Sequence, residues 1–566
     1  MKKWLFVILF CYPVCMYAQD FLQRTPQAVH WADSVQGKLN KRQKIAQLMV
    51  IRVSERQNGK DVFFEEKVAK DVRKYKIGAL CLFQGNAVKQ AEVINRLQSL
   101  SKVPLMVTVD GETGLGMRFS DVKPFPNQLT IGATHDPDLA YKVGVAMAEQ
   151  CHRAGIQVNY APVVDINNNP ANPVINVRSF GEDKEMVAEM GVKIMRGMQD
   201  NNIMACAKHF PGHGDVSVDS HYDLPVILKS KAALDNLELY PFKALARAGV
   251  GSMMMAHLYI PAIDSEKNKA TSLSKNNVTH LLRDEIGYQG LTFTDALEMQ
   301  GVAKFYPQGL ASAKSIIAGN DMLCLPGDIK GSIKKIRKSI RKKELTWDDI
   351  DEKVNKVLIS KYHLGLKQLH DVDTANIAAD LNKDVYVIKK EVYEKAITVL
   401  NKTDLALFNL AANAKIAYVA VGVKSDNKFA DLLKSNFNTD VYLFDNSSSK
   451  EDVRKIISNL NEKYNAIVLG LHQFNKNPAN DFGISPISTM LISSILQKDK
   501  VLGFVFGNPY AANKFSEAKN LVVCYEDDEI MHETALKLLR KEISPEGRLP
   551  VSINARYQLG SGLSLK

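Results

Sequence analysis

Leu105-Met106-Val107-Thr108-Val109-Asp110-Gly111-Glu112 is a nearly continuous apolar run that ends in two carboxylates around a glycine. A short run of this kind, without alternation, reads as a strand buried on both faces, the condition of a parallel sheet. Working outward from it, seven more runs share the design: Ile45-Val53, Ile77-Phe83, Val158-Ile166, Met204-Phe210, Gly251-Leu258, Leu291-Leu297 and Gly319-Pro326. Most are separated by amphipathic stretches long enough for a crossover helix. Eight such units predict an α/β fold built on a closed (β/α)8 TIM barrel. The ionisable residues fall at the carboxyl ends of the runs, as Asp110, Glu112, Asp165, Lys208, His209, His257 and Asp295 do. Those ends converge on one mouth of a barrel, and buried charges without partners are too costly to recur there as mere scaffold.

Downstream of the eighth run lie a lysine-rich helix and then a stripe of Ile350, Val354, Val357, Leu358 and Tyr362 that faces the barrel. A second set of strand-like runs follows: Lys415-Val423, Val441-Phe444, Ala466-Leu471, Val501-Phe506 and Leu521-Tyr525. These alternate with helical stretches and predict an open α/β sheet. The division read from sequence is a leader over 1–18, the barrel over 19–366, a linker over 367–385 and a C-terminal α/β sandwich domain over 386–566.

A hydrophobic content of 46% and a charged content of 24% in 566 residues are those of globular domains. Met1-Lys2-Lys3, the apolar run from Trp4 and the small residue Ala18 predict a cleaved leader and an exported protein, periplasmic or extracellular. The apolar run falls short of a membrane span. Cys81, Cys151, Cys206, Cys324 and Cys524 sit mostly in apolar runs without paired spacing, which predicts buried free thiols and no disulfide framework. The formal charge of +11 is concentrated in Lys330 to Lys343, interleaved with isoleucines. That pattern is the solvated face of a helix, open to anionic polymers or membrane surfaces, with no nucleic-acid reader motif beside it.

Three segments carry chemistry. Ala207-Lys208-His209-Phe210-Pro211-Gly212-His213-Gly214-Asp215, followed by Asp219-Ser220-His221, is a constrained loop after a strand. His209, His213, Asp215 and His221 have the chemistry of metal ligands. Asp219 and His221, two positions apart, have that of an imidazole oriented by a carboxylate for proton transfer. In Leu291-Thr292-Phe293-Thr294-Asp295-Ala296, the aspartate is either a nucleophile at the barrel mouth or the N-cap of a helix starting at Ala296. Asp110-Gly111-Glu112-Thr113-Gly114-Leu115-Gly116-Met117-Arg118 has glycines but no phosphate-loop lysine, and its acids repel phosphate. Asp110 and Arg118 suit hydrogen bonding to vicinal hydroxyls. Arg178 is a second loop arginine, with a surface salt bridge as the plainer alternative.

Together these residues resemble glycoside hydrolase family 3, and within it the NagZ-type β-N-acetylglucosaminidases. Lys208 to Asp215 with Asp219-Ser220-His221 is similar to the hallmark loop of that branch, and Gly290 to Met299 is similar to its nucleophile segment. The resemblance implies an exo-acting retaining hydrolase that removes terminal N-acetylglucosamine from peptidoglycan fragments or chitooligosaccharides, with no cofactor and no metal. It implies Asp295 as nucleophile, His221 paired with Asp219 as acid/base, and Asp110, Arg118, Arg178, Lys208 and His209 as the grip on the sugar. His257 falls with the substrate-binding set by position. The same resemblance leaves room for a phosphorylase that uses phosphate as acceptor and for a β-glucosidase. It implies a packing or substrate-fencing role for the C-terminal domain.

Overall fold

Steric and hydrogen-bonding limits shape the strands before tertiary packing does. In the computed structural model, which describes residues 20–218, 223–307, 309–460 and 462–565, every run read as a barrel strand contributes to one ladder. In chain order the strands are β1 (Met49–Arg52), the hairpin β2 (Ser54–Gln57) and β3 (Lys60–Phe63), β4 (Ala79–Leu82), β5 (Met106–Val109), β6 (Val158–Asn159), β7 (Met204–Phe210), β8 (Ser252–Met255), β9 (Leu291–Thr294) and β10 (Leu323–Cys324). All but the hairpin form an eight-stranded parallel sheet in the order β10-β1-β4-β5-β6-β7-β8-β9. A parallel bridge between Phe293 and Met322 joins the last strand to the first and closes the barrel. The ladders are shorter than the apolar runs. In Val158-Ile166 only the first two residues pair regularly, because Pro162 offers no N–H and the chain turns out to a single bridge at Val163.

The second sheet begins with β11 (Thr398–Lys402), which the sequence reading missed: it follows helix Val385–Ala396 with no turn signal between. It continues with β12 (Lys415–Val421), β13 (Asn438–Phe444), β14 (Ala466–Leu471), β15 (Val501–Val505) and β16 (Asn520–Val523). The order is β11-β16-β15-β14-β12-β13, parallel except for β11 against β16. The hairpin β2/β3 was likewise unread; it is polar and sits at the rim of the barrel. The connector after the barrel is not irregular throughout, since Ile377 and Leu381 are buried from a short helix, Ile377–Asn382. One apolar core runs from the barrel interior to one face of the second sheet, and a separate cluster fills the other face. Cys81, Cys151, Cys206, Cys324 and Cys524 are all buried and free, as read from their settings. Among the described residues no helix is long and apolar enough to cross a membrane. The expected leader over 1–18 and the Asp219/His221 pair lie outside the described residues.

Helix Trp347–His363 starts from a capping box of Thr346 and Asp349, and buries Ile350, Val354, Val357 and Leu358. It also buries a charge. Lys361 is 0% exposed and its Nζ donates to Gln47 Oε1 at 3.0 Å and Pro104 O at 2.8 Å, with no carboxylate at hand. Burial pulls its pKa down to about 7. The unfolded chain therefore holds this proton over a pH range in which the folded chain has released it, so folding is favoured as pH rises above 7 toward the unfolded pKa. We expect urea unfolding to show about 2 kcal/mol of stability gained between pH 7 and pH 9 that is missing in Lys361→Met. An identical pH slope in the two proteins would show that the ammonium is not forced to deprotonate.

Candidate active site

The carboxyl ends of the barrel strands surround a cavity of about 710 Å3. Asp110, Arg118, Arg178, Lys208, His209 and Asp295, all singled out from sequence, line it together. They reach it from different elements. Asp110 follows β5, Lys208 and His209 belong to β7, Asp295 follows β9, and Arg178 hangs from the long loop between β6 and helix Lys184–Gln199.

Lys208 organises one wall. Its side chain is almost fully buried, and Nζ lies 2.5 Å from Asp110 Oδ1 and 2.7 Å from Glu112 Oε1. Arg118 donates to Asp110 Oδ2 at 2.6 Å and to the Asp110 carbonyl at 2.9 Å. Arg178 grips Glu112 with both arms of its fork, at 2.8 and 2.6 Å. The surface salt bridge considered for Arg178 is thus a two-point bond to a buried carboxylate. Burial alone would raise both acids, but Lys208 and Arg118 hold Asp110 below the usual carboxylate range, and Arg178 and Lys208 hold Glu112 well below it. Glu112 was seen in the sequence only as part of the strand-end cluster, and its partnership with Arg178 spans too many residues to be read from spacing.

Asp165 is a second buried hub. Its carboxylate accepts from the His209 backbone N–H, from the His213 backbone N–H at 2.7 Å, and from His209 Nδ1 at 2.7 Å. That bond turns the other nitrogen of His209 to within 3.4 Å of Arg178 Nη2. A guanidinium at that distance opposes a cation on the same nitrogen, and Asp215 is paired with Lys229 at 2.8 Å. The metal reading of this loop therefore loses two of its four ligands to other bonds, and His221 is outside the described residues. His213 also lines the cavity, its pKa pulled down to about 4 by burial and by His209. Gly214 is required where it stands: a Cβ there would lie 1.7 Å from Ile166 O.

Asp295 does not cap a helix, because the next helix starts at Gln300 behind Met299. Its Oδ1 accepts from the Ala296 N–H at 2.8 Å, and the carboxylate stays at the cavity floor. Burial would raise its pKa, yet His257, His209, the Ala296 N–H and Lys208 together lower it to about 2. His257, grouped by position with the substrate-binding residues, is not among the cavity-lining side chains. It is buried behind the floor, with Nε2 3.0 Å from the Ala296 carbonyl and Nδ1 2.7 Å from Ser272 Oγ. The ring braces the Ala296–Leu297 peptide, one residue beyond Asp295.

Two supports were invisible in the sequence. Asn172 is fully buried and donates to the carbonyls of His213 and Gly214, while its own carbonyl accepts from the Val174 and Ile175 N–H groups. It fastens the Arg178 loop to the His213 loop. Phe83, at the end of β4, lies under the guanidiniums of Arg52 and Arg118, with 4.3 and 5.0 Å to its ring centre. No residue of the second sheet lines this cavity. That domain instead clamps the Arg178 loop from outside: Glu182 accepts from Ser552 N and Oγ at 2.9 and 2.6 Å, Asn508 donates to Asn176 at 2.7 Å, and Asn167 donates to Tyr510 Oη at 3.1 Å.

Comparison with known proteins follows the same outline. Beta-hexosaminidase A of Pseudoalteromonas piscicida is 36% identical over 278 residues, 45% of this chain and 46% of that protein. A protein of Cellulomonas fimi named beta-N-acetylglucosaminidase/beta-glucosidase is 28% identical over 335 residues, 58% of this chain and 59% of that one. The chain thus matches about half of the length of these curated relatives. A solved family 3 beta-N-acetylglucosaminidase from a Paenibacillus species superposes with a TM-score of 0.75 at 27% identity, covering 91% of this chain and 99% of that one. The family model described as the glycosyl hydrolase family 3 N-terminal domain matches residues 41–359, which contain every barrel strand and the whole cavity floor, so the chain belongs to glycoside hydrolase family 3.

Proposed function

We propose that this protein is an exo-acting, retaining β-N-acetylglucosaminidase that releases terminal N-acetylglucosamine from peptidoglycan fragments or chitooligosaccharides. The observation that carries the reading is Asp295, a carboxylate held ionised at the floor of a cavity that is also lined by a set of groups able to bond sugar hydroxyls. A carboxylate of that acidity remains an anion throughout the physiological range and is available to attack the anomeric carbon. The attack forms a bond from Asp295 oxygen to C1 as the bond from C1 to the departing oxygen breaks. His221, oriented by Asp219, delivers a proton to that oxygen; in the second step it takes one from water, which displaces Asp295 with net retention. Asp110, Arg118, Lys208, His209 and Arg178 hold the non-reducing sugar. Their mutual bonds fix them before the substrate arrives, which lowers the cost of ordering them on binding. His257 acts through the Ala296 peptide as a positioning residue.

The names of the relatives support the N-acetylglucosamine reading, and the Cellulomonas name, which pairs it with glucosidase, sets the control substrate. Release of p-nitrophenol from its N-acetyl-β-glucosaminide should exceed release from the β-glucoside. Asp295→Ala should lower kcat by about 10³-fold or more, and His221→Ala by about 10²- to 10⁴-fold with a poor leaving group. Full turnover in Asp295→Ala would refute the mechanism. Sugar-1-phosphate appearing in place of free sugar when phosphate is supplied would mark a phosphorylase instead.

Lys208 gives a separate check on the wall. Removing one member of a buried, paired set leaves Asp110 and Glu112 to repel each other, so Lys208→Met should cost about 3–5 kcal/mol of stability in thermal or urea unfolding. KM should rise at least tenfold in the folded fraction, since about 1.4 kcal/mol of lost binding suffices for that. A variant as stable as the parent would show the ammonium to be dispensable.

A further inference from the structure

Helix Ile329–Arg341 buries Ile329, Ile333 and Ile336 against the barrel and turns its other face outward. From Lys330 to Lys343 the chain has eight lysines and arginines and no acid, against a net charge of +11 for the whole protein. A solvated helix face ordinarily mixes the two signs, because like charges four residues apart destabilise the helix and opposite ones stabilise it. Here Lys330–Lys334, Lys334–Lys338 and Arg337–Arg341 are all like pairs at that spacing. No carboxylate within the helix offsets that repulsion.

The structure gives these charges a shape. A groove of about 290 Å3 has Arg42 and Lys74 on one side and Lys330, Lys334, Arg337 and Arg341 on the other. Its floor is Tyr75 and Ile333, both nearly buried. All six cations are exposed, and no carboxylate lines the groove. Neighbours in sequence do have acidic partners: Lys44 has Asp351 at 2.7 Å and Lys342 has Glu344 at 3.9 Å. Among the described residues none of the six has one. Arg42 precedes β1 and Lys74 precedes β4, so the groove descends the outside of the barrel toward the amino ends of the strands, away from the catalytic mouth.

We propose that this groove binds a linear phosphate-bearing polymer, a phosphodiester chain without bases. Cations that face each other across a cleft contact a strand lying between them on both sides, whereas a flat bilayer touches only the ridges. Among the described residues none of the large exposed apolar side chains belongs to the groove, so its surface offers nothing for insertion between lipids. Single-stranded nucleic acid is held by base stacking on exposed aromatics, and the one aromatic here, Tyr75, is buried. The guanidiniums of Arg42, Arg337 and Arg341 suit two-point bonding to phosphate oxygens, and the lysines add point charges. A polymer bound on this flank leaves the cavity open.

The test uses the full chain and a fluorescent poly(glycerol phosphate) oligomer, with binding read by anisotropy at low and high salt. Binding should weaken steeply with salt, by at least about tenfold in Lys334→Glu/Arg337→Glu, and by less in the neutral Lys334→Gln/Arg337→Gln, which guards against misfolding by charge reversal. Lys334→Arg/Arg337→Lys, which keeps one guanidinium and one ammonium, should bind as the parent does; all three variants should stay folded with a thermal midpoint no lower than the parent's, since the Glu and Gln pairs relieve the like-charge repulsion. Undiminished binding in both the reversed and the neutral variants would overturn the proposal. So would tighter binding to phosphatidylglycerol-containing vesicles, which would make the groove a membrane contact, or to poly(dT), which would make it a nucleic-acid contact.

Discussion

The ammonium of Lys208, buried between Asp110 and Glu112, is the constraint on which the cavity depends. Two carboxylates at the end of one strand would repel each other and swell out of the barrel; one cation on β7 holds them in. Arg118 and Arg178 then complete the neutralisation from the loops that follow β5 and β6. The bonds run across β5, β6 and β7, so the polar wall also fastens strands whose ladders are only a few residues long. Charge here does the work that apolar packing does elsewhere in the barrel, and it does so with donors and acceptors left facing the cavity.

A second hub, Asp165, adjoins the first through His209 and Arg178. It is the only acid at the end of its run, and it meets two backbone N–H groups and an imidazole of the His209–His213 segment. The result is that His209 is aimed by a carboxylate, Arg178 by another, and the Ala296 carbonyl next to Asp295 by His257. Each of these three groups has a buried partner behind it. Such doubling keeps polar side chains in place without a ligand.

What the sequence revealed was whatever depends on neighbours along the chain. Nearly continuous apolar runs, several of them ending in ionisable residues, located all eight barrel strands, and the position of Asp295 after Leu291-Thr292-Phe293-Thr294 placed it at the mouth. What it concealed depends on partners far apart. Glu112 with Arg178, Asn172 with His213, and Phe83 beneath two arginines are each joined by folding, and no local pattern marks them. His257 shows the same limit: its strand-end location is right, but whether a ring faces the cavity or the wall is set by Ser272 and Ala296. The edge strand β11 was missed because a strand that starts directly after a helix carries no punctuation.

The loop bearing Arg178 is held on its outer side by the second domain and on its inner side by Asn172. It is therefore a shared hinge pin rather than a decoration of the barrel. Substitutions made in the second domain, at Asn508 or Ser552, act on the pocket through this pin, while the strand ends stay untouched. Recognition of the sugar can thus drift with the interface between the domains even when every residue that faces the cavity is unchanged.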